Sequence, residues 1–208
     1  MCGRITGHHD GHFIWNIKYH GPWNFARELR PTEPYPIIRK RPGTDELEAL
    51  SARWGLIPSF CQGEEDLKKF KLTFNARSET AHTLPSYRRP FQTQRCLVQI
   101  SNFVEWKRDG KRKEKFLFSS ASGGPLIVAG LWDFWMGKEG LVHSFTLLTC
   151  PPNKTVSSFH DRMPVILGQA SAREWLEQRT VTQLQTLLRP CPSSWLTVTP
   201  ADPVLVAV

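Results

Sequence analysis

Apolar residues along this chain recur mainly at alternate positions or in short runs, and seldom at the three-to-four spacing of a helix. Segments of that kind occupy residues 35–40, 46–54, 95–100, 114–119, 126–135, 141–149, 163–167, 195–199 and 204–207. Each has the length and pattern of a strand. Between 103–108 and 111–118 stands Asp109-Gly110, the pair that a type I′ hairpin turn favours because its central residues need positive φ. Helical spacing is confined to the late chain. Residues 171–178 place Trp175 and Leu176 on one side with Ala170, and 181–188 bring Leu184, Leu187 and Leu188 into step behind Thr180, a capping hydroxyl. The balance predicts an α+β, mainly β fold: one domain over residues 1–208, with an antiparallel barrel-like core and peripheral helices. Strands do not alternate with helices and no Gly-rich phosphate loop occurs, which excludes a doubly wound sheet.

Composition changes the picture in two respects. The 27 Lys and Arg outnumber 19 Asp and Glu, leaving +8, a balance that favours a polyanionic partner through counterion release. Five cysteines (Cys2, Cys61, Cys96, Cys150 and Cys191) are odd in number, widely spread and without a Cys-x-x-Cys pair. That argues against a disulfide framework and a structural zinc site, and for reduced thiols. No apolar run is long enough for a membrane helix and the start does not read as a targeting peptide. A cytoplasmic, nucleoid-associated protein is expected, or a nuclear one in a eukaryote, without a cofactor or metal.

The chemistry begins at Met1-Cys2-Gly3-Arg4. With Met1 removed, Cys2 carries an amine and a thiol on adjacent carbons. The amine can condense with an aldehyde, and the sulfur can close the adduct to a thiazolidine. The two groups titrate at about 8 and 8.5, so each has a reactive fraction at neutral pH. Glu105 is set among large apolar neighbours in Asn102-Phe103-Val104-Glu105-Trp106, where desolvation raises a carboxyl toward neutrality; a solvent-facing glutamate paired with Lys107 or Lys115 is the plainer reading. His160, in His160-Asp161-Arg162-Met163-Pro164, is a proton shuttle beside charges able to tune it, or a loop histidine. Asn75, after the run 72–74, is an amide donor or a turn residue. Spacing alone does not bring these residues together.

Other clusters carry less. His8-His9-Asp10-Gly11-His12 lacks a second ligand group, Trp132, Phe134 and Trp135 read as core, and Ser157-Ser158 has no nucleophile elbow around it. The basic runs 68–71 and 107–113 read as solvated, or as a rim that tracks a nucleic-acid backbone.

Taken in order, Met1-Cys2-Gly3-Arg4, Trp54-Gly55-Leu56-Ile57-Pro58, Asn75-Ala76-Arg77-Ser78-Glu79-Thr80, Arg95-Cys96-Leu97, Phe103-Val104-Glu105-Trp106, Ala129-Gly130-Leu131-Trp132 and His160-Asp161-Arg162-Met163-Pro164 resemble the SOS-response-associated peptidase (SRAP) family. The resemblance implies a β-rich domain, acting as a monomer, that binds single-stranded DNA and crosslinks to its abasic sites. It implies Cys2 as nucleophile, Asn75 orienting the adduct, Glu105 moving protons and His160 assisting the Schiff-base step. Arg4, Arg77 and Arg162 are implied to hold phosphates, and Trp106 to pack against bases. Pro31, Trp54, Phe60 and Thr149 complete the implied DNA contacts. Two readings compete: a cysteine-type peptidase, perhaps limited to its own N-terminus, and a basic nucleic-acid-binding module without chemistry. The chain also departs from the family pattern. The usual Tyr-Asn-x-Ala-Pro-Thr reads Arg27-Glu28-Leu29-Arg30-Pro31-Thr32, keeping only Pro-Thr. Asn102 stands for a usual glycine, Val104 for an aromatic, and Phe60 is followed by Cys61-Gln62-Gly63 rather than further rings.

Overall fold

The computed structural model describes residues 3–8, 13–19, 21, 28–68, 73–109 and 112–201. Eleven strands are joined in one sheet system: β1 (Ile5–Gly7), β2 (Glu28–Leu29), β3 (Pro34–Lys40), β4 (Leu47–Trp54), β5 (Asn75–Arg77), β6 (Arg95–Asp109), β7 (Arg112–Ser120), β8 (Leu126–Gly137), β9 (Gly140–Cys150), β10 (Met163–Pro164) and β11 (Leu196–Pro200). Five of them, β9, β4, β3, β6 and β8, close on themselves, since β8 pairs with both β6 and β9. Closure satisfies the backbone of each of these strands on both sides and leaves no open edge in the core.

The alternating runs of the sequence become these strands almost where expected. Two differences have physical causes. Residues 95–100 and 103–108 are one strand of 15 residues, because β6 changes partner without breaking: its first half pairs with β8 and its second half with β7. The run 163–167 is buried throughout, yet pairs as a ladder only at Met163 and Pro164. Val165 N then donates to Leu148 O, and Leu167 N to Ile127 O, so the segment wedges between β9 and β8. The barrel, antiparallel in its other pairings, closes through a parallel contact, Arg53↔Ser144 and Trp54↔Phe145. At that seam the Trp54 and Phe145 rings stack 6.4 Å apart. The run 204–207 and Gly110 of the expected turn lie outside the described residues, while Asp109 ends β6 opposite Arg112.

Four helices flank the barrel: α1 (Glu64–Leu67), α2 (Pro85–Thr93), α3 (Gln169–Leu176) and α4 (Val181–Leu187), all found among the described residues. Thr180 caps α4 as expected, within a capping box that Gln183 completes. The ends of α2 and α3 meet one cation: the buried Arg95 guanidinium donates to the carbonyls of Phe91 and Gln92 and to those of Trp175 and Glu177. Helix C-termini leave carbonyls unsatisfied, and a basic side chain there supplies both hydrogen bonds and the favourable charge. Trp132 and Trp135 are buried, whereas Phe134 is exposed. No helix among the described residues is long and apolar enough to cross a membrane.

Candidate active site

The side-chain alternation of β6 puts Glu105 on the same face as Phe103, opposite Phe116 and Phe118 of β7. Phe103 stacks on Phe118 at 4.8 Å, and Phe159 covers the pair edge-on, 4.8 Å from Phe116 and 5.1 Å from Phe118. This aromatic lid brings the turn carrying His160 over the Glu105 face. Glu105 is 3% exposed, and its Oε1 accepts no hydrogen bond among the described residues. Burial pushes its carboxyl up to about 7, against the pull of the chain's positive amino terminus and with help from the negative charge of Asp161. The solvent-facing alternative for this glutamate is therefore excluded.

His160 shows the complementary shift. Burial, the amino-terminal charge and Arg162 depress its titration, while Asp161 opposes them. Its Nδ1 accepts from Arg162 N at 3.0 Å and stands 2.7 Å from the Asp161 carboxylate. The amino terminus and Asp161 thus act on both Glu105 and His160, which makes one electrostatic site of residues from two distant parts of the sequence.

Asn75 reaches this region by another route. It opens β5, which lies parallel to β9 in the register Asn75↔Leu147, Ala76↔Leu148, Arg77↔Thr149. Ser78 N donates to Thr149 O, and the same carbonyl accepts from Arg162 Nη2 at 2.5 Å. Arg162 also grips both carboxylate oxygens of Glu79, at 2.6 and 2.8 Å. The segment 75–79 is thereby tied to the turn 160–162. Glu79 was not singled out by sequence reasoning; its partner is 83 positions away and no local pattern announces it.

The remaining expected contacts divide by exposure. Arg77 is exposed, Trp106 and Pro31 are half-buried, and Phe60 is 54% exposed. The Pro31 turn is held against the core by Thr32 N, which donates to Trp54 O at 2.6 Å. Arg4 forms an ion pair with Glu28 and lies 5.9 Å from the Trp106 ring centroid. Trp54 and Thr149 do not present themselves to a ligand, being 1% and 0% exposed. Trp54 donates its indole N–H to Phe74 O, and Thr149 holds Arg162 and the β5 segment, so both support the site from within. Cys2 lies outside the described residues, as do His9, Asp10, Gly11 and His12 of the histidine cluster and Lys69, Phe70 and Lys71 of the first basic run. Among the described residues no group of three or more His, Cys, Asp or Glu side chains is placed to hold a metal. Cys61, Cys96, Cys150 and Cys191 are all buried.

The family model described as SOS response associated peptidase (SRAP) matches residues 1–207. The chain belongs to that family. Among its SRAP relatives, the abasic site processing protein YoaM of Bacillus subtilis is 37% identical over 200 residues, covering 91% of this chain and 86% of its own. The abasic site processing protein YoqW of the same organism is 33% identical over 204 residues, covering 91% of this chain and 87% of its own. The fold is matched by a crystal structure of a protein from Bordetella bronchiseptica, with 28% identity and a TM-score of 0.83 over 97% of this chain and 100% of that one.

Proposed function

We propose that this SRAP protein processes abasic sites in single-stranded DNA by forming a covalent crosslink through Cys2. The observation that carries the reading is the buried Glu105 carboxyl, pushed up to about 7 chiefly by burial, on the face of β6 that the His160 turn covers, where burial also depresses the imidazole. Two titratable groups driven apart in this way supply an acid and a base at the same pH. The names of the relatives, abasic site processing proteins, fit the same chemistry.

With Met1 removed, the α-amine of Cys2 attacks the aldehyde carbon of the ring-opened abasic sugar. Glu105, protonated, gives its proton to the departing hydroxyl, which leaves as water, and an iminium forms. His160, neutral, takes the thiol proton, and the sulfur adds to the iminium carbon to close the thiazolidine. Asn75 orients the adduct through its amide. Ring closure removes the iminium that would otherwise lead to β-elimination and strand cleavage. An abasic sugar has no base to unstack, so drawing it into the site costs less than flipping an intact nucleotide. Exposed Arg77 and Phe60, with half-buried Trp106 and Pro31, offer cationic and stacking surface for the flanking strand.

The test is incubation of the Met1-free protein with an abasic single-stranded oligonucleotide, followed by a denaturing gel and intact-mass measurement. The expected result is a shifted band that is absent for Cys2→Ala. Peptide cleavage without that band would replace this reading with a peptidase. Salt-sensitive native-gel binding alone would leave only a binding module.

A further inference from the structure

On the opposite face of β6 from Glu105, one carboxylate is shared by two cations. Glu28 of β2 forms ion pairs with Arg4 through Oε1 and with Lys115 of β7 through Oε2. All three side chains are half-buried. Beside them the Trp106 ring has Arg4 on it at 5.9 Å and Lys113 at 4.6 Å, and Trp106 is the cross-strand partner of Lys115. Two cations reached by two oxygens of one anion, next to a partly open aromatic ring, is the pattern that a phosphodiester and its neighbouring base would complete.

We infer that Arg4 and Lys115 form a phosphate subsite for single-stranded DNA, and that the carboxylate of Glu28 occupies it in the free protein and must be displaced for the strand to bind. The inference rests on the DNA-binding reading given above. Glu28 acts as an internal competitor. While it holds both cations, neither releases a counterion when DNA arrives, so affinity and salt dependence are both muted. Surface ion pairs contribute little to stability, and these half-buried side chains keep partial access to water, so the carboxylate can be removed without unfolding the chain.

Fluorescence anisotropy with a labelled, lesion-free single-stranded oligonucleotide, repeated across salt concentrations, tests this on wild type, Glu28→Gln and Glu28→Gln/Lys115→Gln. Glu28→Gln is expected to bind roughly three- to tenfold tighter at low salt, and its log–log salt slope should steepen by about 0.7 for each cation freed. Adding Lys115→Gln should return about half of the added slope. Equal or weaker binding by Glu28→Gln, with a circular dichroism spectrum like that of wild type, overturns the inference, as does a gain in affinity and slope that the second substitution leaves undiminished. If wild type neither binds the oligonucleotide nor crosslinks abasic DNA, the functional reading fails with it. If wild type crosslinks and the slopes coincide, only the role of Glu28 fails.

Discussion

Glu105 joins stability to chemistry. Its folded titration, at about 7, lies above the ordinary carboxylate value, so the folded protein binds a proton more tightly than the unfolded chain does. Stability from this group is therefore full below the unfolded value and falls as pH rises through the window up to about 7, levelling off above it. Glu105→Gln keeps the shape and removes the ionisation. It should be close to wild type in stability at pH 4 and more stable at pH 8, by on the order of 2–3 kcal/mol, in urea melts at the two pH values. A difference independent of pH would show that the carboxyl is not desolvated. Since a solvent-facing glutamate paired with Lys107 or Lys115 was the plainer reading, the burial of this residue was only partly legible in its own neighbours, Phe103, Val104 and Trp106. The tie from Glu79 through Arg162 to the His160 turn was not, because each residue is ordinary in its local setting and only the fold makes them partners.

Among the elements, those that announce themselves through local periodicity or a cap were readable, and those defined by distant partners were not. The β6–β7 hairpin and α4 belong to the first group. Thr180 accepts from Gln183 N while Gln183 returns a bond to Thr180 N, and the substitution Thr180→Ala should cost about 1 kcal/mol in chemical denaturation. Little change would mean that α4 is held by packing of Leu184 instead. β5 belongs to the second group: Asn75-Ala76-Arg77 has no strand signature beyond its three residues, and becomes a strand only because β9 lies alongside it. α2 was missed for a different reason. Pro85 suits a first turn and Tyr87, Pro90 and Phe91 recur at helical spacing, but Pro90 lies inside the helix, where a proline ordinarily ends one. Tertiary contacts, including the Phe91 ring against Trp175 at 5.6 Å and the Arg95 cap, supply what propensity withholds.

For the whole molecule, the main-chain continuity of β6 through both the barrel and the β7 hairpin leads to an expectation of a single cooperative unit. Urea transitions followed by tryptophan fluorescence and by far-ultraviolet circular dichroism should then coincide, and two separated midpoints would divide the chain into independent parts. The same strand has a consequence for how the protein tolerates change. Arg95, which fastens two helices, and Glu105, whose buried carboxyl is raised to about 7, are ten positions apart on one extended stretch, about 33 Å along its axis. The helix fastening and the raised carboxyl are housed on different stretches of a common beam. Drift in the helical layer can be absorbed at one end while the buried carboxyl toward the other keeps its surroundings, which gives such a scaffold latitude to vary its exterior without retuning that group.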